Sequence, residues 1–155
     1  MTIAAWVQTD RIGPMTLMSR VSRVGWQWSL TQDGRSAFCF ESGLPGLLCE
    51  TSGQTAFPIG RQALVPHTWN HVAVVRTRDR LLLYQNGRLD AEASLDGYRP
   101  PAAPDDPRLQ ITRIGTDPEG RARFSGLIDE VTLFNRALSA ADIAELMKLT
   151  TFQKR

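Results

Sequence analysis

The sequence of 155 residues contains few of the residues on which most metal and catalytic sites depend. His67 and His71 are its only histidines, and Cys39 and Cys49 are its only cysteines. Two histidines cannot form the multi-histidine ligand set of a catalytic zinc site. Neither cysteine has a base close to it in the sequence, and the chain has no G-x-S-x-G motif and no glycine-rich phosphate loop. The sequence therefore gives no indication of nucleophilic catalysis.

Lysine and long apolar runs are also scarce. The only lysines, Lys148 and Lys154, lie near the C-terminus, and the net charge is only +2. A charge this small argues against the concentrated basic face that nucleic-acid binding usually requires. No apolar run approaches the roughly 20 residues of a membrane span, and the opening stretch MTIAAWVQTD lacks the features of a signal peptide. We expect no nucleic-acid partner and no membrane insertion.

The sequence is rich in short segments in which apolar and polar residues alternate. Such segments, separated by Gly, Pro, Asn and Asp, are typical of antiparallel strands. The firmest turn is Asn86-Gly87, because both residues tolerate the positive φ of a type I′ hairpin turn, and Asp33-Gly34 is a second such signal. The predicted strands are residues 2–8, 15–21, 25–31, 36–41, 47–51, 70–76, 80–86, 88–94, 109–115 and 124–134.

One helix is predicted, near the C-terminus. Ser139 has the position of an N-cap, and Asp142 stands at the third helical position, where an acid interacts favourably with the helix dipole. Ile143, Leu146 and Met147 then fall on one side. A helix of about ten residues is marginal on its own. We therefore expect it to pack against the sheets.

Two adjacent acids, Asp129 and Glu130, interrupt the last apolar strand. Because side chains alternate along a strand, Glu130 is expected to point away from the face that carries Asp129. The other members of that face would be Leu127, Val131 and Leu133. A carboxylate in apolar surroundings needs hydrogen-bond donors, an opposite charge or a metal. Asp129 is thus either a structural acceptor, bonded to backbone N–H groups or to an arginine such as Arg113 or Arg136, or a metal ligand.

Cys39 and Cys49 lie in consecutive strand-like runs, SAFCFES and GLLCET. If the turn between them centres on Leu44, the two residues face each other. Opposed residues of antiparallel strands have Cα separations within the disulfide range. Two small buried thiols fit the sequence nearly as well.

Five stretches follow one another along nearly the whole chain: TIAAWVQTD, a strand ending in Asp33-Gly34, WNHVAVVRTRDRLLLYQNGRL, LQITRIG and FSGLIDEVTLFNRALSAADIAEL. In this order they resemble the LamG-like jelly-roll family of the concanavalin A-like lectin and glucanase superfamily. The resemblance implies an all-β, two-sheet antiparallel jelly-roll sandwich with a short C-terminal helix, as one domain over residues 1–155. The strand and loop with which family members usually begin are absent here. We therefore expect a piece of a longer protein, or a domain whose first strand comes from a neighbour.

The resemblance also implies a function. Family members are usually non-catalytic modules that bind a glycan or a protein, as part of a larger secreted or cell-surface protein. An extracellular location favours a disulfide between Cys39 and Cys49. No cofactor is required, but some members bind calcium, which makes Asp129 a candidate calcium ligand. The runner-up function is a structural or assembly domain, which pairs through its open sheet edge with a second copy or with a neighbouring domain.

A glycoside hydrolase is the third interpretation. Glucanases of the related fold carry an E-x-D-x-E strand, because a retaining glycosidase needs two carboxyl groups about 5 Å apart. No such triplet occurs in this sequence. Asp90 and Glu92 come nearest, since they would share a strand face, but Arg88 beside them favours a solvated face.

Loops on a rigid sandwich commonly carry the binding residues. The proline-rich segment 95–108 contains an aromatic residue, a cation and two acids, and the TDPEG turn adds another acid. Trp26 shares a strand face with Trp28 and Leu30, which favours the core, although the start of a strand can reach the rim. The predicted ligand-binding residues are Tyr98, Arg99, Asp105, Asp106, Asp117 and Trp26.

Overall fold

The computed structural model of the chain describes residues 1–21, 25–41, 57–96 and 111–150. Within these ranges ten strands are followed by one helix. The elements are β1 (Thr2–Thr9), β2 (Met15–Val21), β3 (Gly25–Leu30), β4 (Arg35–Glu41), β5 (Ile59–Ala63), β6 (Asn70–Arg76), β7 (Arg80–Gln85), β8 (Arg88–Ser94), β9 (Ile111–Ile114), β10 (Gly126–Phe134) and α1 (Ala140–Leu149).

The strands form two five-stranded sheets whose neighbours are all antiparallel. One sheet, called sheet A, has the order β10-β1-β6-β7-β8, and the other, sheet B, has the order β5-β4-β3-β2-β9. The predicted jelly-roll sandwich with a C-terminal helix is confirmed. Nine of the predicted strands are present with ends shifted by at most two residues, and the strand predicted over 47–51 lies outside the described residues.

The sequence patterns did not predict β5. This strand lies between Pro58 and Pro66, and Gly60 is its only buried residue. A strand that buries one glycine shows no alternation of apolar and polar residues, so its pattern is that of a loop.

Large side chains from both sheets meet in the core. Trp28, Phe38 and Ile3 are among the largest fully buried residues. The Trp28 indole Nε1 donates a hydrogen bond to Ser36 Oγ at 2.8 Å, so its one polar group is satisfied inside the core. Burial of each large apolar side chain contributes roughly 1.5–3 kcal/mol, which makes this contact region the main source of stability.

Helix α1 covers the outer face of sheet A. Its N-terminus is fixed by a capping box, in which Ser139 Oγ accepts from Asp142 N at 3.1 Å and Ser139 N donates to Asp142 Oδ2 at 2.9 Å. Those bonds lower the pKa of the Asp142 carboxyl below its usual value. Ile143 is fully buried and packs, with Leu138, in a cluster that also contains Ala4, Ala73, Val75 and Tyr84. The predicted helix and its cap are confirmed.

A bulge in β10 explains the two adjacent acids. Ala4 pairs with Thr132 and Trp6 pairs with Asp129, so β10 holds one residue more than β1 over this interval. Glu130 lies in the bulge with a φ of 49°. The prediction that Asp129 shares its face with Val131 and Leu133 is wrong, because the extra residue reverses the alternation. Ile128 and Val131 both pack against the core, while Asp129 and Glu130 are exposed.

The two sides of the sandwich differ. On one side β5 contacts β7 and β8 across the gap between the sheets. On the other side lie the edge strands β9 and β10. Leu133 and Ile114 pair with the buried residues Ile3 and Met18 and so belong to the inner faces, yet they are 63% and 55% exposed.

In the part of the chain that the structure describes, no helix is long and apolar enough to cross a membrane.

Candidate ligand-binding site

An open cavity of about 330 Å³ lies on the side where β5 meets β7 and β8. This volume is at the small end of the range for ligand sites in proteins. We call it the edge cavity, and its lining residues are Gln62, Gln85, Asn86, Arg88, Leu89 and Asp90.

The hairpin between β7 and β8 positions one wall of the edge cavity. Asn86 and Gly87 have φ values of 49° and 76°, as the predicted type I′ turn requires. Asn86 is also tied to β6, because its N donates to His71 O at 2.7 Å and its Oδ1 accepts from His71 N at 2.9 Å. The turn therefore holds Gln85 and Arg88 at fixed places on either side of it.

A second bulge turns Asp90 toward the other sheet. Leu83 pairs with Ala91 and Tyr84 pairs with Leu89, so Asp90 is the residue without a partner on β7. Bulges commonly re-aim a side chain in this way. Asp90 is buried, and its Oδ2 accepts a hydrogen bond from Arg61 N of β5 at 3.1 Å.

Gly60 makes room for that contact. A Cβ at position 60 would lie 2.3 Å from Asp90 Oδ2, which is closer than real Cβ contacts. The pairing of a glycine on β5 with a bulged acid on β8 thus links the two sheets beside the edge cavity.

Several polar groups in the edge cavity have no partner. Gln85 is 8% exposed, and its Nε2 donates to Ala63 O at 3.4 Å, but its Oε1 is buried without a hydrogen bond. Asp90 Oδ1 makes no hydrogen bond within the described ranges. Arg88 is exposed, and its guanidinium forms no ion pair or hydrogen bond in the described part of the chain. Two lining residues of the edge cavity, Gln85 and Asp90, thus each have an acceptor oxygen without a partner in the described ranges, and Arg88 adds an exposed cation at the rim.

Glu92 lies elsewhere. It lines a second cavity of about 380 Å³ together with Asp79 and Asp96 at the open end of the hairpin, and it forms an ion pair with Arg80 at 3.2 Å. The prediction that Asp90 and Glu92 share a strand face is wrong, because the bulge at Asp90 shifts the alternation between them. The two carboxylates therefore line different cavities.

Two of the predicted ligand-binding residues have structural contacts. Asp117 is buried, and its Oδ1 accepts from Arg121 N at 2.6 Å, which closes the turn that ends at Gly120. The Trp26 ring is 5% exposed and stacks on Phe38 with ring centroids 5.6 Å apart. A ligand contact by the Trp26 ring would require the core to open.

The other predicted ligand-binding residues, Tyr98, Arg99, Asp105 and Asp106, lie outside the described residues. Their role stays a prediction.

Asp129 is exposed, and its Oδ1 accepts a hydrogen bond from Glu130 N at 2.7 Å. Of the arginines named as its partners, Arg136 instead forms an ion pair with Asp142 at 3.7 Å. Among residues 1–21, 25–41, 57–96 and 111–150, no three His, Cys, Asp or Glu side chains are grouped as a metal site would need. A calcium ligand at Asp129 stays a prediction.

Cys39 is disulfide-bonded. Cys49, the only other cysteine of the chain, lies outside the described residues, so its pairing with Cys39 also stays a prediction.

Comparison with known families agrees with the fold. A family model described as concanavalin A-like lectin/glucanases superfamily, Laminin_G_3, matches residues 1–144. The chain therefore belongs to the Laminin_G_3 family of that superfamily. No curated protein sequence matches it.

Solved structures with the same fold come from varied proteins. Domain 4 of AbnA, a GH43 extracellular arabinanase from Geobacillus stearothermophilus in complex with arabinotriose, is 19% identical with a TM-score of 0.63, over 94% of this chain and 65% of that domain. The SAP-like pentraxin of Limulus polyphemus is 13% identical with a TM-score of 0.65, over 99% of this chain and 72% of the pentraxin. Trypanosoma rangeli sialidase is 17% identical with a TM-score of 0.64, over 96% of this chain but 23% of the enzyme.

Proposed function

We propose that this chain is a non-catalytic carbohydrate-binding module that holds one sugar residue of a glycan in the edge cavity. The observation that carries the proposal is the set of unpaired groups in that cavity: Gln85 Oε1, Asp90 Oδ1 and the Arg88 guanidinium. Sugar hydroxyl groups both donate and accept hydrogen bonds, so one sugar residue can satisfy all three. Leu89, which is half exposed in the same cavity, offers an apolar contact for the C–H groups of a sugar ring.

The placement of the acids supports binding without hydrolysis. Glycosidases generally act with two carboxyl groups on either side of one glycosidic bond, about 5–9.5 Å apart. Asp90 lines the edge cavity, whereas Glu92 lines the second cavity and is paired with Arg80. The two carboxylates thus have no common space in which to flank one bond.

We further propose that the module acts as part of a longer secreted protein. It resembles one domain of an extracellular arabinanase and covers 23% of a sialidase. The disulfide at Cys39 supports an oxidising environment, because disulfides persist mainly outside the cytoplasm. In such a protein the module would hold the larger chain close to its glycan.

Saturable binding to at least one class of immobilised glycan is the expected result of an array screen. Replacing Arg88 with alanine should weaken that binding about tenfold, since a hydrogen bond to a charged group contributes roughly 1.5–3 kcal/mol. Titration calorimetry with the best soluble oligosaccharide measures the change. Arg80→Ala is the matched control. Arg80 is an exposed arginine of the same hairpin, but it lines the second cavity and not the edge cavity.

Two results would contradict the proposal. Failure to bind any glycan on a broad array would remove the recognition role. Release of reducing sugar from a bound polysaccharide would show that the module is an enzyme.

Assembly through the open side of the sandwich is the second candidate function. The exposed inner-face residues Leu133 and Ile114 favour it, because exposed apolar groups beside an edge strand invite pairing with a second copy. The bulge and the charges of Asp129 and Glu130 oppose it, since both features discourage edge-to-edge pairing.

Sedimentation velocity distinguishes the two functions. If assembly is the main role, the protein should be a dimer that Leu133→Asp dissociates. Leu149→Asp should leave the dimer intact, because Leu149 is an exposed leucine of α1, which packs on the outer face of sheet A. A protein that stays monomeric over the accessible concentration range would rule this role out.

A further inference from the structure

The buried wall of the edge cavity holds an acceptor whose orientation is fixed. The Gln85 amide donates through Nε2 to Ala63 O, so the reverse orientation would press Oε1 against another carbonyl oxygen. The observed orientation leaves Oε1 buried and unpaired. Buried acceptors without a partner are rare in native proteins, because an unmade hydrogen bond costs free energy. A ligand donor that reaches Gln85 Oε1 from the edge cavity, which Gln85 lines, would satisfy this acceptor.

Asp90 supplies a second acceptor on the same wall. Its Oδ2 accepts a hydrogen bond from Arg61 N and lies where a Cβ on residue 60 would be, so the carboxylate is held against β5. Its Oδ1 is the free oxygen of this fixed carboxylate. The two free acceptors thus come from one buried side chain on β7 and another on β8, and both line the same cavity.

Two fixed acceptors determine what the ligand must present. A carboxylate or sulfate group offers only acceptors, so it would oppose both oxygens. An ammonium group would donate, but the lining residues carry one negative charge, on Asp90, and one positive charge, on Arg88, so the cavity has no net charge that favours a charged ligand. Hydroxyl groups donate without carrying charge, and a neutral sugar carries them on adjacent carbons.

We infer that the edge cavity is a subsite for a neutral sugar, in which two hydroxyl groups donate to Gln85 Oε1 and Asp90 Oδ1 while Arg88 donates to a third oxygen of the ligand. This inference rests on the proposed function and adds the ligand class and the residues that select it. Acidic sugars such as uronic acids should be rejected at the same site.

Calorimetric titration with matched neutral and acidic trisaccharides tests the selectivity. Arabinotriose, galactotriose and trigalacturonic acid are the probes. At least one neutral probe should bind, and trigalacturonic acid should bind at least tenfold more weakly than that probe. Equal or tighter binding of the acid would overturn the inference but leave a carbohydrate-binding function standing.

Two substitutions test the residues. Asp90→Asn replaces one acceptor oxygen by an NH₂ donor of the same shape and should weaken binding of the neutral probe at least tenfold. Asp96→Asn is its matched control, because Asp96 lines the second cavity. Gln85→Met removes the buried unpaired oxygen, so it should weaken binding while the melting temperature stays close to that of the unmodified protein.

The outcomes separate the two proposals. If a neutral probe binds and both Asp90→Asn and Gln85→Met leave its affinity unchanged in folded protein, the edge cavity is not the subsite and the inference fails alone. If neither the probes nor the glycan array shows binding, the proposed function fails with it.

Discussion

Replacing Gly126 with alanine is expected to lower the free energy of unfolding by about 4 kcal/mol. Gly126 begins β10 with a φ of 139°, a conformation that side-chain-bearing residues rarely adopt. An added Cβ would lie 2.0 Å from Gln8 O and 2.9 Å from Thr9 Cα, and both are backbone atoms of β1. Backbone strain of roughly 1–3 kcal/mol and overpacking of roughly 1–3 kcal/mol combine at this position.

Gly120→Ala is the control that separates strain from crowding. Gly120 also has a positive φ, of 79°, but an added Cβ would have nothing within 4 Å. Its expected cost is only about 1 kcal/mol, which is the usual cost of a left-handed residue. Urea unfolding of both variants measures the difference, and equal losses would show that the approach of β1 to β10 is not as close as the structure indicates.

Acidification is expected to destabilise the protein by about 3 kcal/mol between pH 6.5 and pH 4. The His71 side chain is 1% exposed and packs edge-on against Trp6, with ring centroids 5.3 Å apart. Burial lowers the pKa of His71 from 6.5 to about 4. The unfolded chain therefore binds a proton at His71 below pH 6.5, whereas the folded chain stays neutral there until about pH 4. The contribution of neutral His71 to the free energy of unfolding is fully present above pH 6.5, and it is lost as the pH falls from 6.5 to about 4.

Urea unfolding at a series of pH values measures the loss, and two histidine variants assign it. His71→Gln should lose the dependence on pH between 6.5 and 4, whatever its stability at neutral pH. His67→Asn should keep that dependence, because His67 is exposed and its φ of 56° suits asparagine. Persistence of the full loss in His71→Gln would refute the assignment.

The carboxyl groups of Asp33 and Asp142 affect the stability of the protein in a lower pH range than His71 does. Hydrogen bonds, from Thr31 and Ser139 respectively, lower the pKa of each carboxyl below 3.8. Their stabilising contributions are present above pH 3.8 and disappear as the pH falls below it, which lies under the His71 window.

The elements that depend on local pattern could be predicted from the sequence. The turn at Asn86-Gly87 could be predicted because a type I′ turn needs positive φ at both central residues, and few other residue pairs adopt that conformation. Ser139 and Asp142 specified the start of α1, because their side chains bond to the backbone within one turn. The resemblance over nearly the whole chain then supplied the arrangement of the sheets.

The candidate site could not be predicted, because it depends on contacts between strands. The bulges at Asp90 and Glu130 cannot be recognised from the alternation of apolar and polar residues in the sequence, because a bulge is defined by the pairing register with the neighbouring strand. Gln62 lies on a strand without an apolar pattern, and Gln85 looked like an ordinary polar residue before a turn. The polar residues around Asn86-Gly87 were the only signal in the sequence that pointed to this end of the hairpin.

Helix α1 rests on the turn that separates two wall residues of the edge cavity. Met147 Cε lies 3.3 Å from where a Cβ on Gly87 would be, and Trp6 Nε1 donates to Thr150 Oγ1 at 3.0 Å at the C-terminal end of the helix. None of the lining residues of the edge cavity belongs to α1, but the helix packs against the turn between Gln85 and Arg88. It therefore stabilises the position of the turn, so that the rigidity of this wall of the edge cavity depends on an element outside the cavity.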